Sequence, residues 1–337
     1  MNLVTLADIQ AAQTRLRGVV RHTPLLPFGE AEANGAQLYL KPENLQAVGS
    51  FKIRGASNRL LSLTAEERQR GVIAYSSGNH AQGVARAAQL LGIKAVIVMP
   101  TNSPQVKVAG TRAYGAEVVL YDPAVERRED VAARLMARAR AEPPVLVPPF
   151  NDPHVIAGQG TVGLEIFADL PAVDLVLVPV GGGGLISGVA VALKTLRPAV
   201  KIIGVEPALA ADAQASLRGG QIVAWPAADT NRTLADGVRT LAVGELTFAH
   251  LRRYIDDIIT VSEAEIRAAA RRLLTEARLL VEPTAALPLA AYLYHRAELP
   301  AEARQTVAVV TGGNVDAAVL LELLQAAPVS EFAGASG

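Results

Sequence analysis

The sequence predicts an α/β protein made of two doubly wound parallel-sheet lobes with a cleft between them. Three observations carry this. Short apolar segments alternate with helical ones from residue 72 to residue 310, the rhythm of βαβ units joined by right-handed crossovers. Three turns rich in Gly or Ser, SSGNH, GGGG and TGGN, each directly follow an apolar segment. Ligands gather beyond the carboxyl ends of strands in such sheets, so all three turns are expected to face one cleft. Ala, Val, Leu and Gly dominate a chain that is 50% hydrophobic and 4% aromatic, as buried parallel strands require.

Taken in order, Val72–Tyr75 reads as a buried strand, followed by SSGNH and a helix over 81–91. A strand over 94–99, a helix over 104–114, the strand Glu117–Tyr121 and a helix over 130–140 continue the pattern. EPPVLVPPFNDP, with five prolines between Pro143 and Pro153, reads as a crossing between lobes. Beyond it lie a helix over 156–170, the strand Leu175–Pro179, a helix over 185–196 and a strand over 201–205. A long amphipathic helix over 263–276 and a strand over 307–310 complete the reading. The expected division is a large cofactor-binding domain of residues 1–65 and 151–325, a small mobile domain of 66–150, and a disordered tail over 326–337.

The 337 residues are too many for one simple core, which favours two lobes. Lys plus Arg and Asp plus Glu are 32 each, so no net charge steers the protein toward nucleic acid or an anionic membrane. There is no cysteine, which excludes disulfides, thiolate metal sites and a thiol nucleophile. MNLVTLADIQ lacks a basic segment followed by an apolar one, and a cytoplasmic enzyme is expected. The run from Leu175 to Leu193 has 19 residues without a charge, long enough to span a bilayer. Four consecutive glycines and a proline inside it argue instead for a strand, a turn and a buried helix.

Four stretches carry chemistry. In GSFKIRGA, Lys52 sits between Phe51 and Ile53. Burial among apolar groups lowers a lysine's pKa and makes it a nucleophile toward carbonyls, so this amine is expected to be dry and uncharged. Gly181, Gly182, Gly183 and Gly184 precede a helix, and backbone N–H groups of such a turn bind phosphate. Neither nucleotide motif fits: the sixth position of G-x-G-x-x-G is Ile186 or Ser187, and Gly188 is followed by Val189 rather than Lys. SSGNH, Ser76 to His80, presents hydroxyl, amide and imidazole donors at one point, although an N-cap serine beside a satisfied histidine explains it as well. A lysine together with a phosphate cradle is what pyridoxal phosphate requires. In GVEPALAAD, Glu206 and Asp212 are six apart with Ala210 between them. Two carboxylates and a backbone carbonyl suit a hard cation, while acidic residues at that spacing are also common by chance.

GSFKIRGA, SSGNHAQG, VIAGQGT, PVGGGGL, GVEP and TGGN occur in the order found in fold-type II pyridoxal-phosphate enzymes, whose fold is that of the tryptophan synthase β subunit. The chain resembles their threonine/serine dehydratase and serine racemase branch over roughly residues 5 to 325. The resemblance implies that Lys52 is the Schiff-base lysine and the base at Cα, that Phe51 lies near the cofactor ring, and that Gly181 to Gly184 hold its phosphate. Asn79 matches the amide at the ring hydroxyl. Thr311 matches the hydroxyl opposite the ring nitrogen, where serine is frequent in the family. Ser76, Ser77, Asn79 and His80 match the loop that grips the substrate carboxylate, and Ser77 also matches the acid/base of the racemases on the opposite face. Arg128 matches an arginine at the mouth of the site, and Asp236, in LADGVR, a segment near the substrate side chain; a solvated helix arginine and an ordinary turn are the plain alternatives. Glu206, Ala210 and Asp212 match a Mg²⁺ site that also takes Ca²⁺ or Mn²⁺. Glu282 recurs near the ring, though its place before Pro283 has a plain explanation.

The function implied is a threonine/serine ammonia-lyase that turns a β-hydroxy amino acid into a 2-oxo acid and ammonia, with racemisation at the same site. Serine racemase and 3-hydroxyaspartate dehydratase are the alternatives. The expected partners are a small amino-acid substrate and a second copy in a homodimer, with no nucleic acid and no membrane. Only 23 residues follow Asn314, so feedback control through an appended domain is not expected.

Overall fold

Runs of Val, Ile and Leu without alternating polar residues make strands buried on both faces, and such strands form two parallel sheets here. The computed structural model describes residues 2–138, 142–327 and 329. The six-stranded sheet contains β1 (Leu26–Phe28), β2 (Gln37–Pro42), β7 (Leu175–Pro179), β8 (Lys201–Pro207), β9 (Asp257–Val261) and β10 (Gln305–Val310), in the order β1-β2-β10-β7-β8-β9. Only the short β1 runs antiparallel in it. The four-stranded sheet is parallel throughout, in the order β5-β4-β3-β6, from β3 (Val72–Tyr75), β4 (Ala95–Pro100), β5 (Glu117–Tyr121) and β6 (Val145–Leu146).

The proline-rich stretch before residue 153 is more than a crossing. Val145 and Leu146 pair in register with Val72 and Ile73, and Pro148 and Pro149 then end the strand because they have no N–H to give. The charge-free run of the sequence resolves into β7, the glycine turn and the helix Gly184–Leu196. Among the described residues no helix is long and apolar enough to cross a membrane. Of the tail expected to be disordered, residues 328 and 330–337 lie outside the described residues.

Three helices matter most for the site. Pro153–Asp169 opens with proline at its start and Asp152 as N-cap, whose carboxylate accepts from the Val155 N–H at 2.9 Å. Lys52–Leu61 and Gly184–Leu196 pack against it through glycines. A Cβ on Gly158 would lie 2.7 Å from the Arg54 carbonyl oxygen and the Gly55 Cα, and one on Gly188 would lie 2.3 Å from the Ile156 carbonyl oxygen. No side chain fits in either contact, so the backbones approach more closely than ordinary helix packing allows. This is the physical content of the VIAGQGT stretch: it is a spine on which the lysine helix and the glycine-turn helix both rest.

Beneath the lysine helix lies a buried ionic cluster. Arg54 grips Glu43 with Nε and Nη2, both at 2.7 Å, and Glu165 with Nη1 at 2.7 Å and Nη2 at 2.8 Å. Lys41 adds a bond to Glu165 at 2.7 Å. All four side chains are buried, and two cations balance two anions.

Candidate active site

The carboxyl ends of β3, β7 and β10 deliver the three predicted turns to one cleft. Lys52 enters from the start of its helix, after β2, and Pro149 and Phe150 enter just after β6. The Lys52 amine donates to the Pro149 carbonyl at 2.9 Å and lies 5.2 Å from the centre of the Phe51 ring. It faces the cleft beside the glycine turn. Burial pushes its pKa down to about 8, against the pull of Glu282 and with help from Arg128. The amine therefore gives up its proton more readily than an ordinary lysine. The sequence reading expected an uncharged lysine; the negative field of Glu282 makes the deprotonation partial.

The glycine turn admits no side chains. A Cβ on Gly182 would sit 2.1 Å from a carbon of the Phe150 ring, and Gly183 has φ of +86°. Thr311, which follows β10, is 2% exposed, and its hydroxyl has no hydrogen-bond partner among the described residues. A buried, unpartnered hydroxyl on the wall of a cleft is waiting for a ligand atom. With a nucleophilic amine, an N–H cradle and this hydroxyl on one cavity, the residues present fit pyridoxal phosphate.

The SSGNH turn is assembled on the facing wall. The helix after β3 begins at Asn79, two residues earlier than its apolar pattern indicates, so Asn79 and His80 stand in its first turn. Ser77 is exposed in the cleft wall. The Ser76 Oγ accepts from the Gly78 N–H at 3.1 Å. Asn79 donates to Glu282 Oε1 at 2.6 Å and accepts from Asn314 at 2.9 Å. The His80 side chain is 1% exposed; its Nε2 is bonded to the Val147 carbonyl at 2.9 Å, and its Nδ1 has no hydrogen-bond partner among the described residues. Burial and the Lys52 charge push its pKa down to about 3, so the imidazole stays neutral. His80 lines the cleft beside the rest of this turn.

Arg128 reaches the cleft, with its guanidinium 5.1 Å from the centre of the Tyr75 ring and its Nε bonded to Glu129 at 2.8 Å. Asp236 begins a short 3₁₀ turn, as the plain reading has it, and its carboxylate is occupied by Lys107 at 2.5 Å. Lys107 is the residue the sequence reading missed. It lies 2% exposed in the helix Gln105–Ala113 and bonds to Glu282 at 3.0 Å as well.

Away from the cleft, Glu206 at the end of β8 and Asp212 at the start of the helix Asp212–Gly219 are both fully buried. Glu206 accepts from the N–H groups of Ala213 at 3.0 Å and Gln214 at 2.7 Å. Neither Asp212 oxygen has a hydrogen bond of normal geometry, although the Val243 amide is close enough to favour its charge. Burial, then the Asp212 charge, raises Glu206 well above the ordinary carboxylate range, and burial pushes Asp212 up to about 7. Among the described residues no group of three or more His, Cys, Asp or Glu is arranged for a metal. This pair has only two carboxylates.

The parallel sheets and the lysine-and-glycine cleft define an enzyme that holds an aldehyde cofactor by its phosphate. The chain belongs to the pyridoxal-phosphate dependent enzyme family, whose profile matches residues 16–312, and it has the fold-type II architecture. It is 47% identical over 315 residues to an L-threonine ammonia-lyase of Thermotoga maritima, covering 93% of this chain and 76% of that protein. It is 43% identical to an L-threo-3-hydroxyaspartate ammonia-lyase of Saccharomyces cerevisiae, covering 94% of this chain and 95% of that one. Among solved structures it is similar to maize serine racemase, with a TM-score of 0.89, 38% identity, and 95% of this chain and 97% of that one covered. The processed form of threonine deaminase isoform 2 from Solanum lycopersicum gives a TM-score of 0.85 at 39% identity, covering 96% of this chain and 92% of that one.

Proposed function

We propose that this protein is a pyridoxal-phosphate-dependent ammonia-lyase that converts threonine or serine to a 2-oxo acid and ammonia. The observation that carries the reading is the meeting of the Lys52 amine, the Gly181–Gly184 turn and the unpartnered Thr311 hydroxyl on one cleft. Named relatives of the ammonia-lyase type at 43–47% identity support the reaction class.

Lys52 would hold the cofactor, with its phosphate on the glycine turn, its ring beside Phe51 and its nitrogen opposite Thr311; Asn79 would contact its hydroxyl. When bound, pyridoxal phosphate withdraws the electron pair left at Cα as that carbon loses its proton. Lys52 takes that proton, for which its lowered pKa suits it. The N–H groups of Ser77 and Asn79 and the hydroxyls of Ser76 and Ser77 bind the substrate carboxylate at the start of a helix, where the helix dipole also favours an anion. Thr311 is neutral, so it does not fix a proton on the ring nitrogen as an aspartate would, which favours elimination over chemistry that needs a long-lived carbanion. Residues 66–150 would close over the substrate as a mobile lobe. The family resemblance supports a homodimeric state.

A panel of L- and D-threonine, serine and threo-3-hydroxyaspartate, assayed for 2-oxo acid and for inversion at Cα, tests the reading. No 2-oxo acid from any member by cofactor-loaded protein would remove it.

Ser77, exposed in the wall formed by the SSGNH turn, supports a second activity, proton return to the other face of Cα and hence racemisation. Ser77→Ala should lower inversion at least about tenfold while sparing dehydration of L-substrates, as expected for losing one acid/base group. Equal loss of both activities would remove the two-face assignment.

We also read Glu206, Asp212 and the Ala210 carbonyl as a site for Mg²⁺ or a similar cation. A cation would neutralise two buried carboxylates and occupy the bare oxygens of Asp212. Addition of EDTA should lower the melting temperature by several degrees, reversed by excess Mg²⁺, through loss of ligand-linked stability. An unchanged melting temperature would sink the cation site.

A further inference from the structure

We propose that Lys107 is a positioning residue of this active site: bonded to Asp236 and Glu282 and packed beneath Gly78, it holds Asn79 and the substrate-gripping turn in register with Lys52. The inference deepens the function proposed above and rests on it.

The bonded path is continuous. Lys107 Nζ lies 2.5 Å from Asp236 Oδ2 and 3.0 Å from Glu282 Oε2. The other Glu282 oxygen accepts from Asn79 Nδ2 at 2.6 Å. Asn79 Oδ1 accepts from Asn314 Nδ2 at 2.9 Å, and the same Asn314 nitrogen donates to the Val48 carbonyl at 2.8 Å. Val48 begins the segment that leads directly into Lys52. The path joins both sides of the cleft, because Lys107 and Asn79 come from helices packed on the four-stranded sheet while Val48, Asp236, Glu282 and Asn314 belong with the six-stranded one.

The lysine stem is also the floor of the turn. A Cβ on Gly78 would lie 2.1 Å from Lys107 Cδ, so the turn lies directly on the stem. The helix that carries Lys107 is held in place, since the N–H groups of Gln105 and Val106 donate to Asp316 at 3.2 and 3.0 Å.

Charge explains why a cation is needed there. Asp236 and Glu282 would face each other uncompensated without it. Glu282 is fully enclosed; burial already raises its pKa, and Lys107 is the main opposing influence. If Lys107 were lost, Glu282 would take up a proton and could donate to the Asn79 carbonyl oxygen instead of accepting from its amide. Asn79 would then lose its fixed orientation toward the cofactor.

The test uses cofactor-loaded protein and the variants Lys107→Met, Glu282→Gln and both together. Turnover is expressed per bound cofactor, and melting temperature and the visible absorption of the cofactor are read on the same samples. Lys107→Met is expected to keep the cofactor, to shift its absorption band and to lose about tenfold or more in kcat. The double variant is expected to turn over no more slowly than Glu282→Gln alone, because the lysine acts through that carboxylate. A lowered melting temperature with kcat within about twofold of the parent and an unshifted band would show a merely structural ion pair and overturn the proposal. Should Lys107→Met not fold, the double variant, with one carboxylate neutralised, decides: turnover well below that of Glu282→Gln alone overturns it. A parent that binds the cofactor but releases no 2-oxo acid would sink the proposed reaction instead, and the band shift alone would then decide the role of Lys107.

Discussion

Lys52→Ala should produce a protein that folds, takes up pyridoxal phosphate only reversibly, and turns over β-hydroxy amino acids about 10²- to 10⁴-fold more slowly, the range expected for removing a positioned acid/base group. The side chain is half-buried and bonds only to the Pro149 carbonyl, so its loss leaves no charged partner stranded. Stability should change little, and the cofactor should wash out on gel filtration with the loss of visible absorption. Near-parental turnover in this variant would remove Lys52 from its role. The same amine gives a pH prediction. Its pKa in the fold, about 8, lies below the ordinary 10.5, so it is more easily deprotonated here than in the unfolded chain. Covalent uptake of pyridoxal phosphate by cofactor-free protein should therefore accelerate as pH rises through about 8. The linked stability has the same sign: the unfolded chain holds the proton more tightly between about 8 and 10.5, so this group makes the cofactor-free fold more stable as pH rises through that window.

Arg54→Met should be the most destabilising single change near the site, at about 3–5 kcal/mol, because it leaves two buried carboxylates with one lysine between them. Thermal unfolding should fall by about 5–10 °C for a chain of this size. Burial opposes the Arg54 charge, but Glu43 and Glu165 outweigh it and hold the guanidinium above its ordinary pKa. Arg54→Lys should recover only part of the loss, since an ammonium cannot grip two carboxylates in the same forked way. The cluster also sets an acid limit. Burial raises the pKa of Glu165, but Arg54 and Lys41 more than reverse that, so its folded pKa lies below the model-peptide value of 4.5. Its contribution is present above that value and is lost as pH falls through the folded pKa. A melting temperature of Arg54→Met within about a degree of the parent would show that the cluster is not a support of the fold.

The cleft was legible in the sequence because its parts are backbone devices. Four glycines, a Ser-Ser-Gly-Asn turn and Thr-Gly-Gly-Asn each need residues of special conformation or size at the end of a strand, and such residues stand out in a line of text. Lys107 did not stand out. In QVKVAGT it reads as one more helix lysine, and its partners lie 129 residues away at Asp236 and farther still at Glu282. The one trace was Gly78, whose missing side chain makes room for that lysine. The ionic cluster was hidden in the same way: Lys41 and Glu43 flank a proline at the end of β2, and nothing local says that Arg54 and Glu165 will neutralise them. β6 escaped notice because a strand of two residues, set between proline pairs, carries no periodicity.

The glycine contacts of Gly158 and Gly188 have a dynamic consequence. The proposed attachment point for the prosthetic group and the proposed seat for its anionic tail stand at the starts of two helices that rest on one spine, with no room for side chains between them. The grip on the incoming amino acid is mounted on the other half of the molecule. If the proposed lobe of residues 66–150 moves, it can do so without disturbing that spine, so we expect retention of the prosthetic group and the rate of release to be tuned by substitutions at separate places.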